Sequence, residues 1–222
     1  MQPHHAPACR SVVFAGLLLG TVKAIAVPMA PGDFVSPLPG TTVAAEPQLA
    51  GTVVEDITRT ISGSFSGTGL PFSVEVQDRV VLADDGTYDF YYRLTLLDKP
   101  SSYPLSIRRD GFTGFATNVG WRSDGLGTLE PESGSRTATG STVQFNFAFG
   151  VPEGGQTRFL FVDTDATSYA LTGTATLDLS PSFGENGYAS FTTFAPAVPE
   201  PETYALMLAG LGAIGLVRRR PR

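Results

Sequence analysis

The sequence predicts an all-β fold, an antiparallel two-sheet β-sandwich or jelly roll, set between an N-terminal signal helix and one short C-terminal transmembrane helix. Three observations predict it. From residue 51 onward, apolar and polar residues alternate in short runs, the period of a half-buried strand. Gly, Pro, Asn and Asp punctuate those runs, and 25 Gly and 17 Pro are spread along the 222 residues. Between the two ends, no segment carries an apolar stripe of helical period and helical length.

In chain order, residues 1–26 read as a secretory signal. Arg10 supplies a short basic start, and Val12 to Val22 form an apolar core of helical length. Ala24-Ile25-Ala26 then provides the small-x-small pattern of a leader cut, which places cleavage before Val27. Residues 27–50 are rich in Pro, Ala and Gly without an apolar period, and they read as a flexible lead-in.

Residues 51–197 hold the expected strands: Thr52–Ser66, Phe72–Leu82, Tyr88–Leu97, Leu105–Arg108, Phe115–Trp121, Thr142–Phe149, Thr157–Val162, Tyr169–Leu179 and Tyr188–Phe194. Asp84-Asp85-Gly86-Thr87 joins the second to the third as a hairpin turn, because Asp-Gly accepts positive φ. Phe145, Phe147 and Phe149 share one strand face. So do Tyr88, Phe90 and Tyr92, which leaves Asp89, Tyr91 and Arg93 on the opposite face.

At the C-terminus, Pro199-Glu200-Pro201 interrupts the chain, since neither proline can continue a helix. Residues 203–217 carry no charge, and Arg218-Arg219-Arg220 follow at once. As a helix the apolar stretch spans about 22 Å, short of a hydrocarbon core of about 30 Å. Snorkelling arginines cover the deficit, and the basic cluster fixes the cytoplasmic side.

These three parts, in this order at the end of the chain, resemble the PEP-CTERM protein-sorting domain of Gram-negative bacteria. The resemblance implies that an exosortase-like processing enzyme recognises Pro199, Glu200 and Pro201. It also implies transient anchoring in the inner membrane through the C-terminal helix, and final delivery to the cell surface or an extracellular matrix. The body is similar to a recurrent ectodomain of such proteins at Thr87-Tyr88-Asp89-Phe90-Tyr91-Tyr92-Arg93, Asp165-Ala166-Thr167-Ser168-Tyr169 and Phe194-Ala195-Pro196-Ala197. No activity is implied by that second likeness.

Charge and composition bound the chemistry. The whole chain carries −6, but residues 27–197 alone hold nine basic and nineteen acidic side chains, a net −10. Such a body is poorly suited to a phosphate backbone, so no nucleic-acid partner is expected. Cys9 and both histidines fall in the signal, so the body has no thiol and no imidazole. Ser-His-Asp and Cys-His catalysis and zinc or copper sites of the usual ligands are thereby excluded. No catalytic residue and no cofactor is expected.

Asp163 and Asp165 stand as candidate calcium ligands, two carboxylates at i and i+2, with solvated turn acids as the plainer reading. Trp121 is either a core residue or a stacking platform for sugar. The expected function is that of an exported, non-catalytic surface or matrix protein, structural or adhesive. The alternative is a carbohydrate-binding module attaching to exopolysaccharide.

Overall fold

The computed structural model describes residues 25–98, 105–148, 150–179 and 186–197. Its elements are strands throughout, apart from one 3-10 turn at Pro47–Leu49. Among the described residues, no helix is long and apolar enough to cross a membrane. The expected signal helix, the apolar segment 203–217, Arg218, Arg219 and Arg220 lie outside the described residues.

The first three strands are short: β1 (Val27–Pro28), β2 (Phe34–Val35) and β3 (Gly40–Thr41). The body follows with β4 (Thr52–Ser64), β5 (Pro71–Leu82), β6 (Tyr88–Asp98), β7 (Leu105–Asp110) and β8 (Thr117–Arg122). Then come β9 (Ser133–Arg136), β10 (Thr142–Phe147), β11 (Leu160–Thr164), β12 (Tyr169–Leu179) and β13 (Gly187–Pro196). One sheet runs β1-β8-β11-β6-β5-β4, with β3 also beside β8, and the other runs β13-β12-β7-β10-β9-β2. Every pairing is antiparallel except that of β3 with β8.

The alternation read from sequence is the reason for the core. Val74, Val76, Phe90, Tyr92 and Leu94 of the first sheet meet Ile107, Val143, Phe145 and Leu177 of the second in one buried cluster. Phe147 joins it on the face of Phe145, while Phe149 lies outside the described residues. The hairpin turn is as expected: Gly86 has φ +87° and the Thr87 N–H donates to Asp85 Oδ1.

Three expectations need correction. Residues 27–50 are not a loose arm. Their strands pair with β8 at two places and with β9 of the other sheet, so the segment stitches the two sheets along one side. Met29, Leu38 and Leu49 are buried there, and their apolar area anchors a stretch whose prolines hid it from periodicity. Ser133–Arg136 was not expected as a strand, because Ser-Gly-Ser reads as a loop until β10 and β2 supply its ladders. The strand expected to begin at Thr157 begins at Leu160, and Thr157 forms an isolated bridge to Leu129 while exchanging hydrogen bonds with Leu94 of β6.

Two arginines lie inside. Arg136 is 6% exposed and donates to the carbonyls of Met29 (2.9 Å), Phe112 (2.9 Å), Phe115 (2.9 Å) and Gly140 (3.0 Å) and to Thr117 Oγ1 (2.9 Å). It thereby binds the lead-in to β8 and to the loop before it. Replacing Arg136 with Met is expected to cost about 2–4 kcal/mol in urea denaturation, because buried carbonyls lose their donor together. A loss under about 1 kcal/mol would show that water satisfies those carbonyls equally well.

Arg109 is 1% exposed between the sheets, with its guanidinium 4.1 Å from the Tyr92 ring centroid.

Candidate functional site

The outer face of the first sheet, under the lead-in, gathers most of the unusual chemistry of the body. Register dictates the arrangement. Phe90 lies opposite Val162, so the next pair outward sets Asp89 of β6 against Asp163 of β11. Asn118 of β8 pairs with Asp163 on its other side. Three polar residues therefore share one cross-strand row. The next row holds Tyr91, Phe161 and Gly120.

This face was correctly assigned to Asp89 and Tyr91 by alternation, but it is not open to water. A second buried cluster covers it: Ala26, at the end of the expected leader, and Leu49 of the lead-in pack on Val81, Tyr91, Phe159 and Phe161. Gly120 is needed for that closeness, since a Cβ there would stand 2.8 Å from the Phe161 ring.

Asp89 has no solvent exposure, and among the described residues neither of its carboxyl oxygens meets a partner in good hydrogen-bond geometry. Burial, and then the neighbouring Asp163, push its pKa up to about 9. At neutral pH it is the protonated acid. Asp163 is also raised, by burial first, although Asn118 Nδ2 donates to it at 3.0 Å. Burial also raises the Tyr91 hydroxyl pKa, with the Asp89 charge adding to the effect.

Glu46 completes the acidic group. It is 5% exposed, and both its carboxylate oxygens accept from one donor, the Ala26 N–H, at 2.9 and 3.0 Å. Among the described residues, none of Glu46, Asp89 and Asp163 forms an ion pair.

The two expected calcium candidates have separate hydrogen-bond partners. Asp163 turns into this row, while Asp165 accepts from the Ala116 N–H at 2.9 Å. Among the described residues, no three of His, Cys, Asp and Glu converge on a point suited to a metal ion.

Beside the acidic row lies an open groove of about 350 Å³, lined by Val43, Leu49, Val53, Arg79, Tyr91, Arg122, Leu126 and Phe159, among others. Arg79 and Arg93 both stack on Phe159, at 4.6 and 5.2 Å from its centroid. Trp121 is not a platform of this groove. Its indole N–H donates to the Leu38 carbonyl at 3.0 Å, and its ring packs against Gly40, where a Cβ would come within 2.5 Å.

The sorting residues expected from sequence begin just beyond the last described residue, Ala197. β13 pairs through Pro196 with Tyr169, and Ala197 is held from both sides. Its N–H donates to the Ser168 carbonyl at 3.0 Å, and its carbonyl accepts from Ser168 Oγ at 2.6 Å. Pro199, Glu200 and Pro201 follow within four residues but lie outside the described residues, as does Ala24 of the leader site. Ala26 is described and buried.

Comparison with protein families matches residues 197–220 to the PEP-CTERM protein-sorting motif. The chain carries a PEP-CTERM tail. Its first matched residue is Ala197, which is hydrogen-bonded to Ser168, so the match begins at the last described residue of the body. A tail of this kind marks the chain for export and for sorting to the cell surface. No curated protein and no solved structure matches the chain.

The sequence missed Glu46, Asp89, Arg109 and Arg136 as residues of interest. Asp89 alone had a usable signal, an acid flanked by Tyr88 and Phe90 in a strand whose other face is aromatic.

Proposed function

We propose that the protein is an exported, non-catalytic component of the cell surface or extracellular matrix, structural or adhesive in role, released from its membrane tail by an exosortase-like enzyme. The observation that carries this reading is the PEP-CTERM motif at residues 197–220, attached directly to the last strand of a folded body. Further support comes from composition. The exported part contains no His and no Cys, and its net −10 keeps it apart from anionic surfaces. Two long sheets sutured along both sides suit a load-bearing or spacing role. On the side away from the lead-in, Tyr169 Oη donates to Glu55 at 3.1 Å and Arg59 stacks over Phe191 of β13.

The test is to replace Pro199, Glu200 and Pro201 with alanine in the full chain and to fractionate the cells. The variant is expected to stay in the inner membrane at full length, whereas the parent appears at the surface shortened by its tail. Surface delivery of the triple variant at the parental level would overturn the sorting reading.

A further inference from the structure

Glu46 has the wrong partner for its setting. A carboxylate offers about four acceptor positions, yet among the described residues this buried one receives a single amide hydrogen shared between both oxygens. No cation among the described residues pairs with it, and the neighbouring row of Asp89 and Asp163 adds acid rather than base. A buried carboxylate is stable only when paired, and an ammonium group supplies three donors and a full charge where an amide supplies one donor and none.

The donor is Ala26, the residue on the leaving side of the expected leader cut. Hydrolysis of the Ala26–Val27 bond by a leader peptidase adds water across it. The oxygen goes to the Ala26 carbonyl carbon, which departs as a carboxylate, and the Val27 nitrogen takes up protons to become an α-ammonium. That cut removes the present donor of Glu46. It creates a stronger one a single residue along, about 3.5 Å away by backbone geometry.

We propose that Glu46 is a built receptor for the α-ammonium of Val27, so that the folded body recognises its own processed N-terminus. The proposal rests on the reading that the chain is exported through a cleaved leader. It explains why a glutamate is buried beside β1, and it gives maturation a structural consequence. The ion pair fixes Val27–Pro28 against Val119 and Asn118 of β8, closing the lead-in over the outer face. Because Ala26 is buried, the bond is cut before β1 docks, while the chain is still emerging from the membrane.

The experiment uses the full chain exported with its own leader. N-terminal sequencing of the exported form is expected to start at Val27. Carbamylation of its α-amine by cyanate at pH 7 is then timed against a Val-Pro-Met peptide and against the Glu46→Gln protein. The parental protein is expected to react about tenfold more slowly than either, since an ion pair that raises the amine pKa by one unit leaves a tenth as much free base. A first residue other than Val27 overturns the proposal at the cut. Val27 as first residue with a rate equal to the peptide's overturns the ion pair and leaves export intact. If Glu46→Gln does not accumulate, the comparison of parent with peptide decides alone.

Discussion

Arg109→Ala is expected to be the most damaging single substitution in the body, lowering the unfolding free energy by about 3–5 kcal/mol. Its guanidinium and Asp78 are each 1% exposed, and Nη1 stands 3.2 Å from Asp78 Oδ1. The same guanidinium donates to Thr193 Oγ1 and, at 2.6 Å, to the Phe194 carbonyl. Asp78 in turn accepts from Thr193 Oγ1 at 2.6 Å, with Arg59 a further 3.7 Å away. The cluster joins β5 of one sheet to β7 and β13 of the other.

Removing the cation leaves Asp78 as a buried charge balanced, among the described residues, by Thr193, the Phe194 amide and the longer ion pair with Arg59. That loss, rather than the intrinsic strength of the pair, sets the size of the effect. Urea denaturation is the measurement, with the m-value expected to stay constant. Adding Asp78→Leu to Arg109→Met should recover more than half of the deficit, because both charges then leave the interior together. A single-variant cost under about 1 kcal/mol would mean that the interior at Arg109 is wet.

Asp89→Asn is expected to do the opposite and stabilise the protein at alkaline pH. The folded-state pKa of about 9 lies above the ordinary aspartate value of 3.8, so the folded protein holds one proton more than the unfolded chain between those limits. Unfolding releases that proton, and stability therefore falls as pH rises from about 4 to about 9. The slope approaches 1.4 kcal/mol per pH unit at most, and relaxation around the site will reduce it. Asparagine has nearly the same shape and no charge to bury. The variant should gain about 2 kcal/mol or more at pH 8 and nothing at pH 4. Identical pH profiles of thermal unfolding for parent and variant would show that Asp89 is not held protonated.

How much of this was legible beforehand differs by element. Strands with clean alternation, such as β6 and β10, were placed to within two residues, because a single buried face imposes period two on side-chain type. Short strands defeat that signal. β1, β2 and β3 have two residues each, too few for any period, and they exist because β8 and β9 offer unpaired edges. β9 is specified by its neighbours in the same way. The sorting tail was legible because its information is linear: Pro-Glu-Pro, an uncharged run and an arginine cluster are read in order by residue type alone.

The buried ionisable groups were not legible. Asp89 faces the side that alternation assigned to it, but that side is buried only because residues 25–50 return across it. Arg109 follows Arg108, and the two look alike as letters. Strand alternation sends Arg108 out to Asp178 on the open face and Arg109 in to Asp78.

The sequence by itself determined the all-β class, the alternating core faces and the PEP-CTERM address, because each depends on residue type and local spacing. Only the tertiary structure decided that the lead-in is a suture, that Arg109 and Arg136 are interior, and that the covering segment brings Glu46 close to the buried row of Asp89 and Asp163. The physical reason is the same in each case. Burial of a charged side chain is a property of what the distant chain lays over it, and no local pattern of residues records that cover.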